Sequence, residues 1–180
     1  MALRKALAYS KKKARPFTRI SSNKSKAYIK TVPQNKVVKF HQGAQADYQA
    51  GKHSYTIKLI AEEYSLIRDN AIESARMYLT KKLDNAALGQ YYLAIKVFPH
   101  HIIRENKLAS GAGADRLSQG MSQAYGVVIG RGAFVNKGKE IFRVSAANEK
   151  IAKIARDLLN EVKAKLPCAC RVIFEKTKNS

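Results

Sequence analysis

The strongest constraint on this chain is a strand–helix–strand pattern that occurs twice. In the second copy, Ile151, Ile154, Ala155, Leu158, Leu159, Val162 and Leu166 recur at helical spacing, which marks one buried face of an amphipathic helix. Asn148 fits its N-cap, Lys163 and Lys165 stand near its negative end, and Pro167 closes it. Residues 140–145 before it and 171–175 after it are patterned as strands. The first copy opens with a strand over 54–61. Asp69 fits an N-cap, and Ile72, Ala75, Leu79 and Leu83 repeat the helical spacing, with Lys81 and Lys82 toward the far end. Residues 91–98 then alternate, with Tyr91, Leu93, Ile95 and Val97 on one side and Tyr92, Ala94, Lys96 and Phe98 on the other, until Pro99 ends the strand. Two more strands are expected near 36–41 and 124–129. The economical assembly is an α+β, two-layer fold, with two helices packed on a mixed, mainly antiparallel β-sheet.

Charge sets the organisation. The first 46 residues hold twelve basic side chains and no carboxylate, more than half of a formal net charge of +21. They are Arg4, Lys5, Lys11, Lys12, Lys13, Arg15, Arg19, Lys24, Lys26, Lys30, Lys36 and Lys39. Pro16 and Pro33 interrupt regular structure, and residues 21–26 are polar. Tyr9, Phe17, Tyr28 and Phe40 are spaced among the cations. Residues 1–46 therefore read as an extended basic arm and 47–180 as one domain. Such an arm calls for a polyanion, and interleaved aromatics suit RNA, where cations meet phosphates and rings stack on unpaired bases. A merely solvating tail is the plainer alternative. No apolar run reaches membrane-spanning length, and the start has no secretory pattern. The two cysteines, Cys168 and Cys170, stand too close for an easy disulfide, which fits a reducing cytoplasm.

Between the two units, residues 102–121 form a long, glycine-rich, basic loop. Arg104, Asn106, Lys107, Ser110, Gly113, Asp115 and Arg116 are its candidate functional residues, with Arg104, Lys107 and Arg116 expected on phosphates. Enzyme chemistry finds little support. Gly111-Ala112-Gly113 lacks the third glycine of a dinucleotide fingerprint and the loop lacks a P-loop ending. His100-His101 and Cys168-x-Cys170 have no recognised zinc spacing, so no metal or other cofactor is expected. Asp115 and Arg116 read as a local ion pair rather than a catalytic pair. An RNA-processing enzyme using Asp115, or a DNA-compacting protein, are the competing readings. No helix has the clustered base-reading side chains of a recognition helix.

The residues also resemble a known family. Arg4-x-Ala6-x-x-Tyr9, residues 15–19, Val32-Pro33, Lys36-Val37, Phe40 and Gly43 are similar to the archaeal and eukaryotic ten-e branch of the universal large-subunit ribosomal protein sixteen family. So are residues 70–76, and most specifically residues 98–107, 113–117 and 120–121. The resemblance spans nearly the whole chain and favours an archaeal source. It implies a cytoplasmic structural component of the large ribosomal subunit with no catalytic activity. It implies rRNA binding between the central protuberance and the stalk base, near A-site tRNA. The loop would point toward P-site tRNA and the peptidyl-transferase centre, and the partners would include neighbouring ribosomal proteins and late maturation factors. Lys5 and Ala8 depart from the family pattern, and Cys168 and Cys170 match no family role.

Overall fold

The computed structural model of the chain describes residues 23–26, 29, 31–105 and 127–176. Their elements run β1 (His41–Gly43), α1 (Gln45–Gln49), β2 (Tyr55–Ala61), β3 (Ser65–Arg68), α2 (Asp69–Ala87), β4 (Tyr91–Ile95), β5 (His101–Glu105), β6 (Val127–Val135), β7 (Glu140–Ala146), α3 (Glu149–Val162) and β8 (Cys170–Lys176).

The two helices expected from periodicity form where expected. Ile72, Ala75, Leu79 and Leu83 of α2 are all fully buried. On α3, Ile151, Ala155, Leu158, Leu159 and Val162 are buried, with Leu166 just beyond it, whereas Ile154 at the edge of the stripe stays largely exposed and Ala152 takes its place inside. One continuous core that includes Ile57, Leu59, Leu93, Phe142 and Val144 joins them, α2 packing against β3, β4 and β6 and α3 against β2, β7 and β8. Each such apolar side chain contributes about 1.5–3 kcal/mol of transfer free energy.

The α+β architecture is as expected, but the strands divide between two sheets and every described pairing is antiparallel. The larger sheet has the order β1-β4-β7-β2-β8 and the smaller the order β3-β6-β5. In the larger sheet β7 lies between β2 and β4, and β2 lies between β7 and β8. The two strand–helix–strand units are thus split and interleaved, the ferredoxin-like arrangement. Each supplies the strand that separates the other's pair.

The smaller sheet lacked a clear sequence signal. All of β3 but its last residue is buried, so its four residues show no alternation. A bend at Glu62 and Glu63 turns the chain out of the large sheet before β3 begins. Strand β6 runs on to Val135, well past the expected end near 129, because Gly132 at its centre lets Leu66 and Ile103 close over the backbone.

Strand β4 also departs from its expected alternation. All five of its residues are buried. The helices cover Tyr91, Leu93 and Ile95, while the short helix α1 covers the opposite face. There Tyr48 stacks on Tyr92 with centroids 4.4 Å apart, and Arg143, paired to Glu140 through two bonds of 2.6 and 2.7 Å, also donates to Tyr48 at 3.2 Å.

Candidate RNA-facing surface

Two of the expected N-caps work differently from the expectation. Arg68, not Asp69, stands at the N-cap of α2. Asp69 is the first helical residue and is buried. Its carboxylate accepts from Asn70 N–H at 2.8 Å and from Lys36 N–H at 3.3 Å. Asn148 does occupy the N-cap of α3, but its side chain makes no capping bond and instead donates to Gln90 at 3.4 Å.

The bond to Lys36 belongs to a set. One helical turn beyond Asp69, Glu73 accepts from Val38 N–H at 3.3 Å. Arg76 holds this carboxylate through two bonds, and that pairing keeps the Glu73 carboxyl below its ordinary value. Farther back, Arg131 of β6 donates to the Pro33 carbonyl at 2.6 Å. Val37 is buried in the main core, and Ile29 is buried as well. Residues 33–38 are thus tied to the body at every second or third residue, by side chains on α2 and β6. They form no strand, although one was expected near 36–41. The sheet begins only at His41. The last stretch of the basic segment is accordingly part of the folded body.

Of the expected RNA-binding residues, Lys36 and Lys26 are exposed. Lys24 lies with Lys26 in a 3-10 turn that Asn23 braces by accepting from Ser25 N–H at 3.1 Å. Arg4, Lys5, Lys11, Lys12, Lys13, Arg15, Arg19 and Lys30 lie outside the described residues. In the central loop, Arg104 is the fourth residue of β5 and half-buried. Ile102 and Ile103, counted with the loop from sequence, are buried strand residues. Asn106, Lys107, Ser110, Gly113, Asp115 and Arg116 lie outside the described residues. What the structure gives is the base of the loop: β5 and β6 form an antiparallel ladder from His101–Gly132 to Glu105–Val127, with a register shift at Ile103–Arg104. Residues 106–126 therefore start and finish at the same end of one two-stranded ribbon.

Among the described residues, most carboxylates of the body are already engaged. Asp47, Glu62, Glu73, Glu140, Glu149, Asp157 and Glu175 pair with nearby Lys or Arg. Glu63 accepts from Ala169 N–H at 2.9 Å, and Asp84 and Glu161 accept from Tyr91 and Tyr78 hydroxyls. Lys36, Lys39, Lys96, Lys137 and Lys139 have no carboxylate partner among the described residues, so the surplus positive charge faces outward. Glu62 and Glu63 are exposed and help tie β8 to the end of β2. Cys168 and Cys170 are free thiols with Sγ atoms 3.5 Å apart. Among the described residues, no three His, Cys, Asp or Glu gather as a metal site, and no helix is long and apolar enough to cross a membrane.

Fold and surface together define a small basic α+β protein that presents lysines from a scaffold most of whose described acids pair internally. Comparison with known proteins makes this specific. The family model for ribosomal protein L16p/L10e matches residues 13–173. The large ribosomal subunit protein uL16 of Staphylothermus marinus is 38% identical over 179 residues, covering 99% of this chain and 97% of its own. That of Methanococcus maripaludis is 38% identical with the same coverage, and that of Picrophilus torridus is 39% identical over 170 residues, 92% of this chain and 93% of its own. The chain belongs to the ribosomal protein L16p/L10e family. It is a structural ribosomal protein and not an enzyme.

Proposed function

We propose that this chain is built into the large ribosomal subunit of the cytoplasmic ribosome. Its basic segment from residues 1–46 threads into rRNA there, between the central protuberance and the stalk base, near A-site tRNA. The loop of residues 102–121 points toward P-site tRNA and the peptidyl-transferase centre. Its partners are rRNA, tRNA, neighbouring ribosomal proteins and the factors that complete subunit maturation. The observation that carries this reading is the anchoring of residues 33–38. Bonds from Asp69, Glu73 and Arg131 hold residues 33–38 against the folded body, which supports reading the basic segment as one joined to the body by an anchored stretch. The residues that bracket the loop, Glu105 and Val127, are paired in the β5–β6 ladder, which supports reading it as one projecting unit.

Two experiments separate the parts of this reading. The protein should co-sediment with large subunits and resist moderate salt; recovery only as a free monomer would sink the assignment. Deleting residues 110–118 should leave rRNA binding largely intact while impairing translation or subunit maturation. Normal translation by subunits carrying that deletion would refute the role given to the loop without touching the role given to the arm.

A further inference from the structure

Phe98 is a large apolar residue with 52% of its surface exposed, yet it is held in place. Its ring stacks on Phe40, with centroids 5.5 Å apart and planes inclined by 27°, and Phe40 packs against the main core. Its carbonyl accepts from His100 N–H at 2.9 Å, and His100 Nδ1 lies 3.0 Å from the same oxygen. Pro99, with its fixed φ, stiffens the residue between. The ring is therefore positioned but left uncovered.

Two exposed lysines stand close to it along the chain and across the neighbouring stretch. Ile95 N–H donates to the Phe40 carbonyl at 2.8 Å, which extends the β1–β4 ladder one step beyond His41–Ala94. Lys39 and Lys96 follow one residue further along these two neighbouring stretches. Both are exposed, and neither has a carboxylate partner among the described residues. Like charges on adjacent strands repel, and an anion lying against both would remove the penalty. Phe98 also sits between the end of the basic segment, at Phe40, and the start of β5, which leads to the central loop. A fixed aromatic face, with one such lysine two residues before it in the chain and the other next to its stacking partner Phe40, suits an unpaired base with its phosphates. Every base offers a π-face for stacking, and a continuous duplex hides it.

We propose that Phe98 is a stacking platform for an unpaired nucleobase of large-subunit rRNA, and that Lys39 and Lys96 contact the phosphates beside that base. This rests on the rRNA-binding reading above and adds a site on the folded body to the arm and the loop. The chain contains no tryptophan, so Phe98→Trp installs a single reporter. In the full chain, that fluorescence should be quenched by the protein's own large-subunit rRNA and by single-stranded oligoadenylate, and not by duplex RNA of equal length. Phe98→Ala should weaken rRNA binding about tenfold, while Phe98→Tyr should bind like the parent, all with unchanged melting temperatures. The Lys39→Gln, Lys96→Gln double variant should make binding less salt-dependent, by roughly 0.7 in the log–log slope for each phosphate no longer neutralised. An unquenched reporter, equal quenching by duplex, or Phe98→Ala binding within about twofold of a parent that does bind rRNA would overturn the platform and leave the ribosomal role standing. Quenching in assembled subunits but not by naked rRNA would assign the ring to a neighbouring protein and overturn it as well. A parent that fails to bind rRNA would overturn both.

Discussion

At the scale of single residues, two glycines show how closely the backbone is packed. Gly43 ends β1 with φ of +84°, and a Cβ there would stand 2.1 Å from the Tyr91 carbonyl oxygen. Gly43→Ala meets both a disfavoured backbone conformation and a clash with backbone that cannot move aside. We expect it to destabilise the protein by about 3 kcal/mol in chemical denaturation. Gly132 has an ordinary φ, and its Cβ would meet Leu66 Cδ1 at 2.8 Å and Ile103 Cδ1 at 3.2 Å. Side-chain ends can shift, so Gly132→Ala should cost less, about 1–2 kcal/mol. Equal losses for the two would mean that the positive φ contributes nothing. Neither requirement is visible in the sequence, because a glycine's neighbours across a sheet come from distant segments. Leu79 is the opposite case: its place in the α2 stripe was legible from spacing alone, and the structure buries it fully.

At the scale of elements, helix α2 works as both core and anchor. Its apolar stripe was readable, but its role as a hook for residues 36–38 was not, since Asp69 reads as a helix cap and Glu73 as an ordinary acid one turn further on. Their backbone acceptor role depends on where the preceding segment is folded back. The Asp69→Asn, Glu73→Gln double variant should loosen that segment, and limited proteolysis within residues 31–40 should speed up about tenfold. Unchanged cleavage would show that Val37 and the Arg131–Pro33 bond hold it without them. Helix α1 gives a pH test. His53, buried beside Tyr48, is pushed below its ordinary value of 6.5 by burial, with Asp47 opposing in part. Protons then bind the unfolded chain more readily. The stability that His53 contributes is present above 6.5 and is lost as pH falls toward the lowered folded value. The melting temperature should drop between neutral pH and about pH 5, and His53→Phe should flatten that drop. A parallel fall in the variant would place the pH sensitivity elsewhere.

At the scale of the whole molecule, the balance of charges matters more than any one interaction. Most acids of the described residues are occupied by internal partners, and the net charge of +21 has to be met from outside. Binding to rRNA should weaken steeply with salt. Removing residues 1–22, which carry seven cations, should reduce the log–log salt slope by roughly 0.7 for each phosphate that those cations had neutralised. A slope unaffected by that truncation would mean that the folded body, through residues such as Lys36, Lys39 and Lys96, meets most of the phosphates.

The order of residues was enough to specify the two helices, the doubled strand–helix–strand units, the concentration of charge in the first 46 residues and the family. Helical periodicity and charge are local properties, and a motif match needs no coordinates. Folding in three dimensions was needed to split the strands between two sheets, to lay α1 over the second face of β4, and to pin residues 33–38 with Asp69, Glu73 and Arg131. It was also needed to prop Phe98 on Phe40 with its ring exposed. Each of these joins residues far apart in the chain. Which partners meet is set by the common packing of the core, and no stretch of sequence taken alone carries that information.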